Sequence, residues 1–307
     1  MLCVLLSVAY LTLLERKLLA AYQRRVGPDS VGLFGILQAI ADAVKLITKQ
    51  NSTSSNTSLL IFYVSPIWSL CLIIASWSVV IMLFLSNYNS VITEYDNLLH
   101  SYSWLLLLAI LSLTIYSVLL LGWAANNAYA FLGSLRSSSA LISYELVLST
   151  AALFPMILST SYDLYDIIFS QVTVLYLIPL LPVAILFFIS TLAESSRVPF
   201  DLVEAESELV SGYMTENASV LFTLLFLSEY ASIMLFAVIN SILWFGTSNY
   251  YSLSLSTIFM LTLVILARAL LPRLRYDQLI TLCWLYLLPI TFVLAVLVPS
   301  LYVTLLL

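Results

Sequence analysis

The chain has 307 residues, 62% of them hydrophobic and only 9% charged, with a net charge of −5. At a mean hydropathy of +1.07 a soluble globular domain is excluded, because its surface could not be made polar enough. One histidine and three isolated cysteines leave no His-based metal site, Ser-His triad or C-x-x-C pair, so the cysteines read as small hydrophobes.

The apolar runs are long enough to cross a hydrocarbon core of about 30 Å, which takes about 20 helical residues. In chain order they are Met1 to roughly Leu19, Leu59 to Leu85, Tyr102 to Leu121, Ser138 to Thr160, Val172 to Leu192, Ala218 to Phe245, Leu253 to Leu271, and Leu279 to Leu301. Barrel strands would instead alternate over segments of roughly ten residues. The expectation is an all-α polytopic membrane protein, one domain over residues 1–307, with about eight transmembrane helices plus an amphipathic interfacial helix. In the first run only fourteen residues precede Glu15, about 21 Å of helix. Either Leu18 to Tyr22 completes that span, or the start is truncated. Met1 leads into it without an Arg/Ser-rich leader, as expected of a chain made where it works, in a bacterium or an organelle with its own genome. Few glycines (7) and many tyrosines (19) lean towards the mitochondrial case.

In the first connection, Gln38, Asp42, Lys45 and Lys49 recur every three or four residues, with Leu33, Leu37, Ile40, Val44 and Ile47 on another face. That spacing predicts an amphipathic helix at the membrane surface, after a Gly27-Pro28 turn. Further on, Pro179 and Pro182 are expected to bend the fifth span.

All 11 Lys and Arg fall in the odd-numbered connections or at helix ends beside them. The positive-inside rule puts those connections on the cytoplasm-like side. The even connections carry only Glu94, Asp96, Asp163 and Asp166 among charged groups. No internal repeat and no glycine-rich nucleotide motif is present, so nucleotide, flavin, iron–sulfur and nucleic-acid binding are not expected of this chain.

The carboxylates stand out against this background. Glu194, Asp201, Glu204, Glu206 and Glu208 lie within LAESSRVPFDLVEAESELVSGY (Leu192 to Tyr213), and Glu145 and Glu229 sit inside other apolar runs. At 1.5 Å per residue Glu145 is roughly 10 Å deep and Glu229 roughly 16 Å. Burial disfavours the charged form of a carboxyl group, and two carboxylates ~7 Å apart at an effective dielectric of ~20 repel by about 2 kcal/mol. Such groups titrate as a set, so charge arriving at one end shifts protons along it. A solvated acidic loop and singly hydrogen-bonded structural glutamates are the plainer alternatives.

The same stretch closely resembles the signature of subunit 1 of respiratory complex I, the NADH:ubiquinone oxidoreductase. ERKLLAAYQRRVGPD (Glu15 to Asp29), NNAYAFLGSLRS (Asn126 to Ser137), ISYE (Ile142 to Glu145) and PRLRYDQL (Pro272 to Leu279) match as well, in family order. Ala140 and Asp29 depart from the family pattern, which often has glutamine and asparagine there. The resemblance implies that connections 20–58 and 193–217 form part of a ubiquinone chamber on the matrix side. It further implies that Glu145, Glu194, Asp201, Glu204, Glu206, Glu208 and Glu229 form an acidic path towards antiporter-like subunits. Arg16, Arg25, Asp42, Arg197, Phe200, Arg273 and Arg275 become chamber or peripheral-arm contacts; alternatives are that Arg16 snorkels and Arg197 pairs with Glu194. Ubiquinone is then the substrate, while NADH, FMN and iron–sulfur clusters belong to partner subunits. The implied location is the mitochondrial inner membrane or, less expected, a bacterial plasma membrane. A proton-coupled secondary transporter and the membrane anchor of a related hydrogenase-type complex are the rival readings.

Overall fold

Every regular element among the described residues is a helix. The computed structural model describes residues 1–50, 57–86, 101–172, 174–201, 212–246 and 250–306. Helix α1 runs over Leu2–Tyr22, followed by a 3-10 turn at Leu33–Gly35 and α2 at Gln38–Thr48. Then come α3 (Leu59–Ser86), α4 (Ser103–Ala124), α5 (Ala128–Ser159) and the short α6 (Leu164–Ser170). Next are α7 (Leu181–Glu194), a 3-10 turn at Gly212–Met214, α8 (Ser219–Phe245) and α9 (Tyr250–Leu270). The chain closes with α10 (Tyr276–Thr281), a π-helical turn (Leu282–Leu287) and α11 (Leu288–Leu306).

Among the described residues, six helical segments are long and apolar enough to cross a membrane: Leu59–Met82, α4, α5, α8, α9 and Tyr276–Leu301. That is fewer than the expected eight. α7 has only 14 residues, and α1 carries Glu15, Arg16 and Lys17 in its second half. The fifth run is not a bent helix from Val172. Residues 174–180 form turns, because Pro179 lacks an amide proton and disfavours helix before it; Pro182 sits in the first turn of α7, where its missing donor costs nothing. Helix α5, in contrast, starts ten residues before its apolar run, at a cap where Asn127 Oδ1 accepts from the Tyr129 amide at 3.2 Å. The π-helical turn ends just before Pro289, whose ring crowds the carbonyl four residues back, at Leu285.

Helix α8 is central, packed against α3, α9 and α1, with Leu235, Ile239, Ile242 and Leu243 fully buried. The Trp77 indole of α3 donates to the Ala231 carbonyl of α8 at 3.1 Å. A second cluster joins Tyr144 and Val147 of α5 to Phe200, Leu279 and Cys283.

The connections meet by parity. Ser219 Oγ, at the start of α8, donates to the carbonyls of Leu46 (3.0 Å) and Lys49 (2.7 Å) at the end of α2, and the Ser58 amide donates to Ala124 O at 3.1 Å. At the other ends of the helices, Ser103 Oγ accepts from the Leu164 amide at 3.2 Å. There too the Gln171 amide group donates to the Ile242 and Leu243 carbonyls, each at 3.1 Å, closing the last turn of α8.

Candidate functional site

Between α3, α4, α5, α7 and α8 lies a cavity of about 80 Å³. Glu194, Glu229 and Tyr213 line it, together with Ser69, Thr114, Ser117 and Ser228. Several of these hydroxyls donate to their own helices, Ser69 to Pro66 O (2.8 Å), Ser117 to Thr114 O (2.6 Å) and Ser228 to Leu225 O (2.7 Å). Their remaining lone pairs can accept. A water needs about 10–15 Å³ of such space and two to four polar partners, so this cavity has room and partners for several.

Glu229 comes from the middle of α8 and accepts from the Tyr213 phenol at 2.9 Å. Glu194 ends α7; its Oε2 is buried and has no hydrogen-bond partner among the described residues. Buried polar atoms are nearly always satisfied, so a carboxylate oxygen in this position fits a water-filled cavity. The cavity thus brings two of the predicted path residues together, while Glu145, half-buried on α5, does not line it.

A second polar group is buried beside the first. Glu15 of α1 is 7% exposed and pairs with Arg268 in the last turn of α9; its other neighbour is Arg197, with Nη1 3.9 Å from Oε1. The Arg197 guanidinium also lies over the Tyr230 ring, 4.3 Å from its centroid. Leu11, Ile233, Leu261, Val264 and Ile265 enclose this group in a narrow crevice. Among the described residues Arg197 pairs with Glu15 and not with Glu194.

The remaining chamber candidates fall into separate places. Arg16 pairs with Asp42 at 2.7 Å across the exposed gap between α1 and α2, and Gln38 Nε2 donates to the other Asp42 oxygen at 2.9 Å. Arg16 and Arg25 line a cleft of about 270 Å³ beside Gly27 and Pro28. Asp201, buried, takes a hydrogen bond from Arg273 at 3.1 Å. Phe200 packs on Tyr144, centroids 5.4 Å apart, within the second core cluster. Arg275 is exposed at the start of α10, its amide donating to Gln278 Oε1 at 3.4 Å. Glu204, Glu206 and Glu208 lie outside the described residues.

The sequence profile of the NADH dehydrogenase family matches residues 1–299. The chain belongs to the NADH dehydrogenase family. It is similar to a Candida albicans protein named NADH-ubiquinone oxidoreductase chain 1, 47% identical over 299 residues that cover 97% of this chain and 92% of the relative. The protein of the same name from Mycosarcoma maydis is 41% identical over 319 residues, covering 98% and 93%. That from Chondrus crispus is 40% identical over 300 residues, covering 94% and 89%.

In this member of the family the sequence reading missed Glu15, Tyr213, Tyr230 and Arg268 as site residues. Arg268 carries a usable signal, since it is a lone ionisable group within an apolar run. Tyr213 and Tyr230 carry none that distinguishes them from the other tyrosines.

Proposed function

We propose that this chain is the membrane subunit of a proton-pumping NADH:ubiquinone oxidoreductase of the mitochondrial inner membrane. It forms part of the chamber that admits ubiquinone, and its carboxylates move protons when the quinone is reduced. The near full-length likeness to proteins named NADH-ubiquinone oxidoreductase chain 1 supports the subunit assignment over a free-standing transporter or a hydrogenase anchor. The other subunits of the complex are its partners. Quinone-module subunits of the peripheral arm and antiporter-like membrane subunits contact it directly, and the flavin and iron–sulfur centres reside in subunits other than this one.

In this reading α1 and α7 bring the crossings to eight. The 21 residues of α1 reach about 31 Å, and α7 crosses together with the turns at 174–180. The odd connections face the matrix. Arg16, Arg25, Asp42, Arg197, Arg273 and Arg275 belong to the chamber and its rim, where guanidinium groups polarise a quinone headgroup and stabilise the charge of its reduced form. Phe200 backs the segment that carries Arg197 and Asp201. The acidic path comprises Glu145, Glu194, Asp201, Glu204, Glu206, Glu208 and Glu229. The observation that carries the path is the cavity that Glu194 and Glu229 both line, which has room for water between two carboxyl groups.

Glu229→Gln tests it, because it keeps the shape and removes the exchangeable proton. The complex is expected to assemble, while coupled NADH-to-quinone turnover and proton pumping fall by at least about tenfold, a modest share of what a positioned acid–base group contributes. Undiminished pumping in an assembled Glu229→Gln complex would remove Glu229 from the path.

A further inference from the structure

Tyr213 sits in a turn whose position is set by backbone contact. Gly212 adopts φ +58°, which a residue without Cβ reaches most cheaply. It lies against Gly133 of α5 so closely that a Cβ added there would stand 2.9 Å from the Gly212 Cα and 3.1 Å from its carbonyl carbon. The Tyr213 ring, 5% exposed, is packed with Leu121, Met214 and Leu225 from α4, the turn and α8. A phenylalanine would fill that apolar space equally well. A buried hydroxyl costs free energy unless it is hydrogen-bonded, so the phenol oxygen is there for its contact. The phenol donates to the Glu229 carboxylate, 2.9 Å away on the wall of the cavity that Glu194 also lines.

We infer that Tyr213 is a positioning residue for proton transfer: its phenol holds the Glu229 carboxyl in the orientation that faces the cavity. This rests on the reading of Glu229 as a path residue. The polar O–H···O contact holds the carboxyl group on the wall of the cavity, where a carboxyl proton can exchange with water. Because the turn is clamped by Gly133 and Gly212, Tyr213→Phe removes the hydrogen bond and leaves the backbone where it is.

The test compares Tyr213→Phe, Glu229→Gln and the neighbouring packing variant Met214→Leu in the assembled complex. Turnover and KM are measured with a short-chain quinone, and the carboxyl C=O stretch is followed in reduced-minus-oxidised infrared difference spectra. The band of Glu229 is the one lost in Glu229→Gln. Tyr213→Phe is expected to leave the quinone KM unchanged and to lower coupled turnover by about tenfold, the scale of one hydrogen bond to a charged group. It should also move the Glu229 band to higher frequency, since a C=O bond stiffens when it loses a donor. Met214→Leu should do neither. Wild-type turnover and an unmoved band in Tyr213→Phe, with Glu229→Gln impaired, would overturn the inference and leave the function of Glu229 standing. Failure of Tyr213→Phe to assemble while Met214→Leu assembles would make the phenol a folding group and overturn it too. An unimpaired Glu229→Gln complex would overturn both readings together.

Discussion

A single carboxylate, Glu15, is shared by two arginines from distant parts of the chain, Arg197 after α7 and Arg268 at the end of α9. Charges withdrawn from water are tolerated when they are paired, and removing one partner of a buried pair costs about 3–5 kcal/mol because the other is stranded. Glu15→Gln is therefore expected to lower the midpoint of thermal dissociation of the assembled complex clearly, whereas Glu15→Asp, which keeps the charge on a shorter stem, should lower it less. An unchanged midpoint in Glu15→Gln would mean that both arginines draw their counter-charge elsewhere. The sequence made Glu145, Glu194 and Glu229 legible because apolar residues surround or precede each of them. Glu15 was hidden by its neighbours Arg16 and Lys17, since a charged cluster at a helix end ordinarily reaches the interface. Its partner Arg268 is 253 residues away, a separation that no local pattern encodes. Tyr213 is one of 19 tyrosines and becomes informative only when its hydroxyl is seen on Glu229.

At the scale of the helix, hydropathy locates the runs but not their ends. Residues Ala128 to Ser137 are helical although they precede the apolar run, because a cap at Asn127 and packing of Ala130, Gly133 and Ser134 extend α5. The shortening of α7 follows from Pro179 and Pro182, which remove donors, and it opens the turns whose Leu177 amide reaches Trp244 O at 3.2 Å. The crossing of α5 with the Gly212 turn constrains the wall of the cavity that carries Tyr213. Gly133→Ala inserts a methyl group where there is no room, and overpacking of this kind costs about 1–3 kcal/mol. The expected result is a displaced turn, seen as faster proteolysis near residue 212 and a loss of coupled turnover in the same direction as Tyr213→Phe. If Gly133→Ala behaves as wild type in both assays, the turn moves freely and the clamp does not set the position of Tyr213.

Across the whole molecule, the distribution of charge and the pattern of contacts agree. Lys and Arg crowd the odd connections, and it is these that touch one another: α2 with the start of α8, Ser58 with Ala124, and Asp201 with Arg273. The even ends touch separately, through Ser103 with Leu164 and Gln171 with the end of α8. The Lys and Arg side chains stay at one end of the bundle because carrying them through lipid is costly. This arrangement requires Lys49 and Arg275 to lie on one side of the membrane and Asp166 on the other, all three being exposed on the chain itself. The check is a thiol reagent that does not cross membranes, applied to variants Lys49→Cys, Arg275→Cys and Asp166→Cys in a background with exposed Cys3 and Cys71 replaced by alanine. In membranes stripped of peripheral subunits, positions 49 and 275 are expected to label from the matrix face, and position 166 only from the opposite face. Labelling of 49 and 166 from the same face would require an odd number of crossings to be removed between them, and the eight-crossing arrangement, with its matrix-facing chamber, would fall.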